Sequence, residues 1–390
     1  LINEKKNTNI FDDETKSINS IILGIYICYY IRLFSLELRE EFRSRANNII
    51  NKQKIKNRID FIDIPEEEKN FIINEIEIEA GIGKNNILKE NIFLMFIAIN
   101  TKIPLIICGK PGCSKSLSFQ LIFKSMLGQY SNSIFFRKFP SIIRSCFQGS
   151  ITTSSKAVLK LFEIAKEKLD NFKKEAKKKN NKIQLPISLV YFDELGLAEK
   201  SKENPLKVLH SKLEFDLKED EEKIGFIGIS NWSLDSAKMN RAITLYVPEL
   251  DHKIEDTRNT MQSIVENINS EIYEKYKNIF LILSESYYYF KAFLREKKSK
   301  YLDKLGSRDF YHLIRYCASK INTIYIKSKK NNKVSSDKII IAIVRRAIER
   351  NFSGFEFDEI ERKEYGFENS VILFKNKYNE KCLEKGLINM

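Results

Sequence analysis

The sequence is poor in the residues that build metal centres and disulfide scaffolds. Its 390 residues include three His and six Cys, and the cysteines (Cys28, Cys108, Cys113, Cys146, Cys317, Cys382) are scattered with no C-x-x-C pair. A RING or other zinc-ligating cluster is therefore excluded from this sequence, and reduced thiols are the expectation. Proline is scarce, with seven in all and none after Pro248. Everything beyond that point is free to be helical. Long apolar runs are also missing. The most hydrophobic stretch, Ser20–Phe34 (SIILGIYICYYIRLF), is too short for a membrane span and carries Arg32, so a buried helix is expected. No signal peptide is recognisable, and the expected setting is cytoplasmic. The chain opens on Leu1 rather than Met, as a fragment would.

Charge, by contrast, is plentiful and one-sided: 66 Lys and Arg against 52 Asp and Glu, for a net +14. A basic balance of this size suits nucleic acid or any anionic ligand. Lys, Asn and Ile abound in every part of the chain, loops included. That argues for a compositional bias rather than a dedicated nucleic-acid surface. The run Lys173–Lys182 (KKEAKKKNNK) reads as a solvated helix end and loop.

In order, residues 1–19 are polar. Ile21–Ile50 reads as a helix, Asn51–Arg58 as a basic linker and Ile59–Ile64 as a short apolar segment. A helix over Pro65–Ile76 starts with proline and acids, as helix N-termini prefer. Gly81 and Gly83 break it. Leu88–Ile99 reads as an amphipathic helix. Apolar runs then alternate with helical ones. Strands are expected at Leu105–Cys108, Ile134–Phe139, Ile187–Phe192, Ile224–Ile229 and Ala242–Val247. Phe147–Ser155 reads as a polar loop, and helices are expected at Lys156–Lys168 and near Leu206–Leu217, before an acidic turn at Glu219–Glu222. This alternation argues for an α/β fold with a parallel sheet flanked by helices and with ligands at the strands' C-terminal ends. From Lys253 onward the pattern is helical, punctuated at Asp303–Phe310. The expected division is a helical N-terminal extension (1–83), an α/β nucleotide-binding domain (84–250), a helical lid (251–355) and a C-terminal segment (356–390).

The chemistry sits at the strand ends. After Leu105–Cys108 comes Gly109, Lys110, Pro111, Gly112, Cys113, Ser114, Lys115, Ser116 and Leu117, a strand-to-helix turn with phosphate-loop (Walker A) spacing. Its backbone N–H groups and the helix N-terminus would cradle phosphates, Lys115 would reach the β- and γ-phosphates, and Ser116 would ligate Mg²⁺. Ser114 departs from the pattern, where the last glycine usually stands; a small residue still permits close approach. Asp193-Glu194 ends a buried strand as a Walker B pair. Asp193 would support the metal through its water shell, and Glu194 would orient and deprotonate the attacking water. Asn231 closes another strand on the same edge and suits the attacking water or the γ-phosphate. Arg241, after a short helix, suits the γ-phosphate of a neighbouring module. Arg308, opening a helix in Gly306-Ser307-Arg308-Asp309, would sense nucleotide from the lid. For each there is a plainer reading: a turn for Asp-Glu and Asn, a surface ion pair for the arginines.

Taken in this order, the motifs resemble an AAA+ P-loop ATPase module. More narrowly, GKPGCSKSL (109–117), FDELGLAEKSKENPLKVLH (192–210), GISNWSLDSAKMNRAI (228–243), GSRDFYHLIRY (306–316) and RRAIERNFSG (345–354) resemble the mysterin-type AAA+ ubiquitin ligases, over roughly Leu88–Gly354. A serine before the lysine is similar to what that family carries, and Ser20–Asn48 resembles the linker from a preceding module. The resemblance implies one ATP- and Mg²⁺-dependent hydrolase unit in a ring of tandem AAA+ modules, in the same or another chain, with ubiquitin-system partners. It implies no ligase activity for this segment, which lacks the Cys/His cluster. Two other readings stay open: an ATP-binding switch with negligible turnover, and a basic nucleic-acid-associated ATPase. No binding motif supports the second.

Overall fold

The computed structural model describes residues 13–52, 60–178, 184–213, 223–250, 253–302, 304–330, 337–357, 359, 362–363, 366 and 370–384. Parts of the Asn51–Arg58 linker, the Lys173–Lys182 run and the acidic turn Glu219–Glu222 lie outside them. The chain divides into two compact units. One holds the residues up to Glu77 together with Ile87–Pro248; the other holds Ile78–Asn86 and the residues from Glu249 on.

The first unit is built on a five-stranded, all-parallel sheet. Its strands are β1 (Leu105–Cys108), β2 (Ile142–Gln148), β3 (Ile187–Asp193), β4 (Gly225–Ser230) and β5 (Ile243–Tyr246), in the order β2-β3-β4-β1-β5. The register pairs Gln148 with Asp193 and Cys108 with both Ser230 and Tyr246, so these strand ends share one edge. β1, β3 and β4 are buried on both faces almost throughout, which is why they read as continuous apolar runs.

Helices cover both faces. On one, Val158, Leu161, Phe162 and Ala165 of α6 (Ser155–Lys178) pack on Ile106, Val190, Phe192 and Phe226. On the other lies α5 (Lys115–Ser125), whose Phe119 ring stacks on Tyr191 of β3. α4 (Asn86–Thr101) is buried almost all round rather than amphipathic, because N-terminal helices cover its outer side. Three helices precede it: α1 (Asp13–Cys28), α2 (Leu36–Lys52) and α3 (Asp63–Asn74). The single helix expected over Ile21–Ile50 is thus broken. Leu33 is extended (φ −74°, ψ 122°), and the Ser35 hydroxyl accepts from the Leu38 N–H to start α2. The strand expected at Ile134–Phe139 is instead a 3₁₀ turn, Phe136–Lys138. Phe135, Phe136 and Phe139 turn inward as a ring cluster around Phe96 of α4, and Pro140 follows. The strand begins at Ile142, so that Phe147 and Gln148, expected in a loop, close it.

The second unit is helical: α10 (Ile254–Ile268), α11 (Ser270–Glu296), α12 (Ser307–Lys330), α13 (Asp337–Phe352) and α14 (Ser370–Glu384). The short helices α7 (Leu195–Glu199), α8 (Val208–Lys212) and α9 (Ser236–Met239) belong to the first unit. Residues 78–86 are stitched to it. The Gly81 N–H donates to Asn267 Oδ1 (2.9 Å), Arg315 donates to the Gly81 carbonyl, and the Lys84 N–H donates to Ser263 Oγ (2.6 Å). Phe290, Phe352 and Phe374 form its aromatic core.

Candidate functional site

The site begins where β1 ends. Gly112 has φ +95°, and Ser114 occupies the left-handed region at φ +53°, so the serine takes the conformation a glycine would adopt there. α5 then starts at Lys115, leaving its first N–H groups without helical partners and pointing into the loop. Asn91 of α4, fully buried, braces the loop from behind by donating to the Cys113 carbonyl (2.9 Å).

Lys115 is 6% exposed. Its ammonium donates to the carbonyls of Gly109 and Lys110 and to Asn231 Oδ1 (3.2 Å). Burial pushes it below the ordinary lysine range, against the pull of Glu194 and Asp193. A buried cation whose hydrogen bonds go to neutral oxygens is well prepared for an anionic ligand.

The carboxylates follow from β3. Asp193 Oδ2 accepts from the Ser116 hydroxyl (3.2 Å) and from the Tyr191 hydroxyl (3.2 Å), while Oδ1 accepts from the Glu194 N–H (2.9 Å). Glu194 stands at φ +52°, just before the short helix α7 (Leu195–Glu199). Asn231, one residue past β4, donates to both Glu194 oxygens, at 2.9 and 3.2 Å. Asn231 thus bridges Lys115 and Glu194. Its own loop rests on α7. Lys200 lies over the Trp232 ring at 4.3 Å, and Glu199 accepts from the Asp235 N–H and from Lys238.

Five of the sequence-derived residues therefore meet: Lys115, Ser116, Asp193, Glu194 and Asn231. Arg241 follows the short α9 (Ser236–Met239), after α8 (Val208–Lys212) and β4, and donates to the Ala237 carbonyl (2.6 Å). Arg308 is the second residue of α12, in the other unit. Sequence reading missed Tyr191, Asn91 and Trp232. For Tyr191 the signal was available: in a strand, residues two apart share a face, so it stands beside Asp193.

Ser116 and Asp193 offer only oxygen donors, close together. Among the described residues no group of three or more His, Cys, Asp or Glu is placed to hold a metal. A hard divalent ion completing its shell with phosphate oxygens and water fits such a pair. No helix among the described residues is long and apolar enough to cross a membrane.

The chain is similar to known proteins over most of its length. Residues 81–254 match the family described as the RNF213 AAA domain. The chain is 31% identical over 344 residues to the human E3 ubiquitin-protein ligase RNF213, which takes in 86% of this chain and 6% of that protein. It is 32% identical over 353 residues to rnf213-beta of Danio rerio, again 6% of the relative's length. Among solved structures, the Aeropyrum pernix ORC2 protein in its ADPNP–ADP complexes covers 79% of this chain, at 13% identity and a TM-score of 0.44. The chain spans only a small part of the ligases it matches. Over residues 81–254 it carries an AAA+ domain of the RNF213 type.

Proposed function

We propose that this chain binds ATP with Mg²⁺ and hydrolyses it, as one AAA+ module of an RNF213-like, cytoplasmic ubiquitin ligase whose ligase chemistry lies elsewhere. The observation that carries this is the convergence of Lys115, Ser116, Asp193, Glu194 and Asn231 on one sheet edge. Lys115 and the loop N–H groups hold the β- and γ-phosphates. Ser116 and Asp193 hold the metal, which when bound neutralises charge on the phosphates. Glu194 takes the proton of the attacking water on a lone pair that the Asn231 amide leaves open. Asn231 orients the water or the γ-phosphate. Arg241 acts on the nucleotide of an adjacent module, in the same or another chain, and Arg308 senses nucleotide from the helical unit, so that turnover drives a conformational change.

The test is nucleotide affinity and turnover of the purified chain. Lys115→Ala is expected to abolish binding. Glu194→Gln is expected to keep binding and lose turnover by about a hundredfold or more. Equal turnover in wild type and Glu194→Gln would refute the catalytic role of Glu194. One observation favours a second reading, a nucleotide switch with negligible turnover: both Glu194 oxygens are engaged by Asn231. That reading predicts Lys115-dependent binding with turnover equally low in wild type and Glu194→Gln.

A further inference from the structure

Resting on the nucleotide-binding reading above, a residue outside the loop and strand-end motifs bears on the metal. Tyr191 stands two residues before Asp193 on the same face of β3. Its ring is 7% exposed and stacks on Phe119 of α5, with centroids 3.8 Å apart and planes within 10°. Phe119 lies on the helix that starts with Lys115 and Ser116. The stack therefore fixes where the Tyr191 hydroxyl sits relative to Ser116, and the hydroxyl donates to Asp193 Oδ2 at 3.2 Å. Oδ2 receives two hydroxyls, one from Ser116 and one from Tyr191, and Oδ1 receives the Glu194 N–H. The two hydroxyls have different futures. In the reading above the Ser116 oxygen would face the metal, while its O–H can go on donating to Asp193. The Tyr191 hydroxyl would hold no metal; it donates to Asp193 and can hold that carboxylate with or without the ion.

We propose that Tyr191 is a positioning residue for the divalent cation: it anchors the Asp193 carboxylate beside the Ser116 hydroxyl, and so sets Mg²⁺ affinity without touching nucleotide. Partners of this kind around a metal ligand commonly change metal affinity by ten- to a hundredfold when removed.

The experiment follows binding of a fluorescent ATP analogue to the full chain, first in EDTA and then over a Mg²⁺ titration. It compares wild type, Lys115→Ala, Tyr191→Phe, Asp193→Asn and the double variant Tyr191→Phe/Asp193→Asn. Tyr191→Phe removes one oxygen and keeps the stack on Phe119, and its thermal melt in EDTA checks that the fold is intact. The expected result is wild-type affinity in EDTA with the Mg²⁺ midpoint raised about tenfold. On the Asp193→Asn background the same change is expected to add nothing. An unmoved midpoint in Tyr191→Phe overturns the proposal, as does a shift of equal size in the double variant. Should Tyr191→Phe unfold, Phe119→Leu loosens the stack and is expected to raise the midpoint in the same direction; no change there also overturns it. Loss of the nucleotide reading has a separate signature: wild type and Lys115→Ala indistinguishable in EDTA, with no dependence on any Tyr191 change.

Discussion

Glu194 shows how much of the site depends on single backbone positions. Its left-handed φ of +52° aims the side chain back at Asn231 and puts its carbonyl beside Gly149. The Gly149 N–H donates to the Asp193 carbonyl (2.8 Å), and a Cβ at position 149 would lie 2.5 Å from the Glu194 carbonyl oxygen. That neighbour is backbone and cannot rotate away. Gly149→Ala is therefore expected to destabilise the chain by about 1–3 kcal/mol. It should also lower kcat more than nucleotide affinity, because it displaces Glu194 rather than the phosphate loop. Melting temperature together with kcat and Kd for ATP checks this, and a proportional loss in all three would count against it. Ser114 is the reverse case. It departs from the phosphate-loop pattern as letters, yet it adopts the pattern's conformation, so the sequence signal was weaker than the geometry behind it.

At the scale of elements, the N-terminal helices are held to the nucleotide-binding sheet by a buried charged network. Arg39 of α2, 6% exposed, donates to the carbonyls of Ile31, Leu33 and Tyr246, the last residue of β5, and pairs with Glu90 of α4 at 3.5 Å. The Tyr26 hydroxyl donates to Glu90 and accepts from Lys69 of α3 (3.3 Å). Burial alone would raise the Glu90 carboxyl, but Arg39 and Lys69 outweigh it and hold it below the ordinary range. A depressed carboxyl stabilises the fold above its unfolded value and loses that contribution as the pH falls. Stability is thus expected to drop on acidification below about pH 4.5. Glu90→Gln should flatten that part of the profile, measured as urea midpoint against pH. Arg39→Ala, which leaves Glu90 buried without its guanidinium, is expected to cost about 3–5 kcal/mol at neutral pH. None of this network was legible in the sequence, where Arg39, Lys69 and Glu90 are ordinary charged residues on helices. What was legible follows the physics of each element. β1, β3, β4 and β5 announced themselves as apolar runs. β2 did not, because among the described residues it is an edge strand beside β3 and its exposed positions include Arg144 and Gln148, so its end read as a loop. Asp193, Glu194 and Asn231 stood out as candidates because they end or follow buried strands. Tyr191 was passed over because an aromatic inside such a strand looks like core, and most of it is.

Over the whole molecule, each of the two units closes a core of its own. The first unit closes its sheet between helices with aliphatic and aromatic side chains. The second closes on aromatic contacts among α11, α13 and α14, with the Phe290 and Phe374 rings stacked at 5.0 Å and Phe352 against Phe374 at 4.8 Å. Phe374 lies late in the chain, yet it is fully buried in that core. Multi-domain chains of this kind depart from two-state unfolding. Calorimetry is therefore expected to resolve two transitions. Phe374→Ala, a truncation costing about 3–5 kcal/mol in a packed core, should lower one of them, and Arg39→Ala the other. Because the partners described for the two sites lie in different units, the double variant should show both shifts without an added term. ATP with Mg²⁺ should raise the transition that Arg39→Ala lowers, since ligand stabilises the unit that binds it. If Phe374→Ala and Arg39→Ala instead lower a single shared transition, the two cores unfold as one, and the division drawn from their separate packing is wrong.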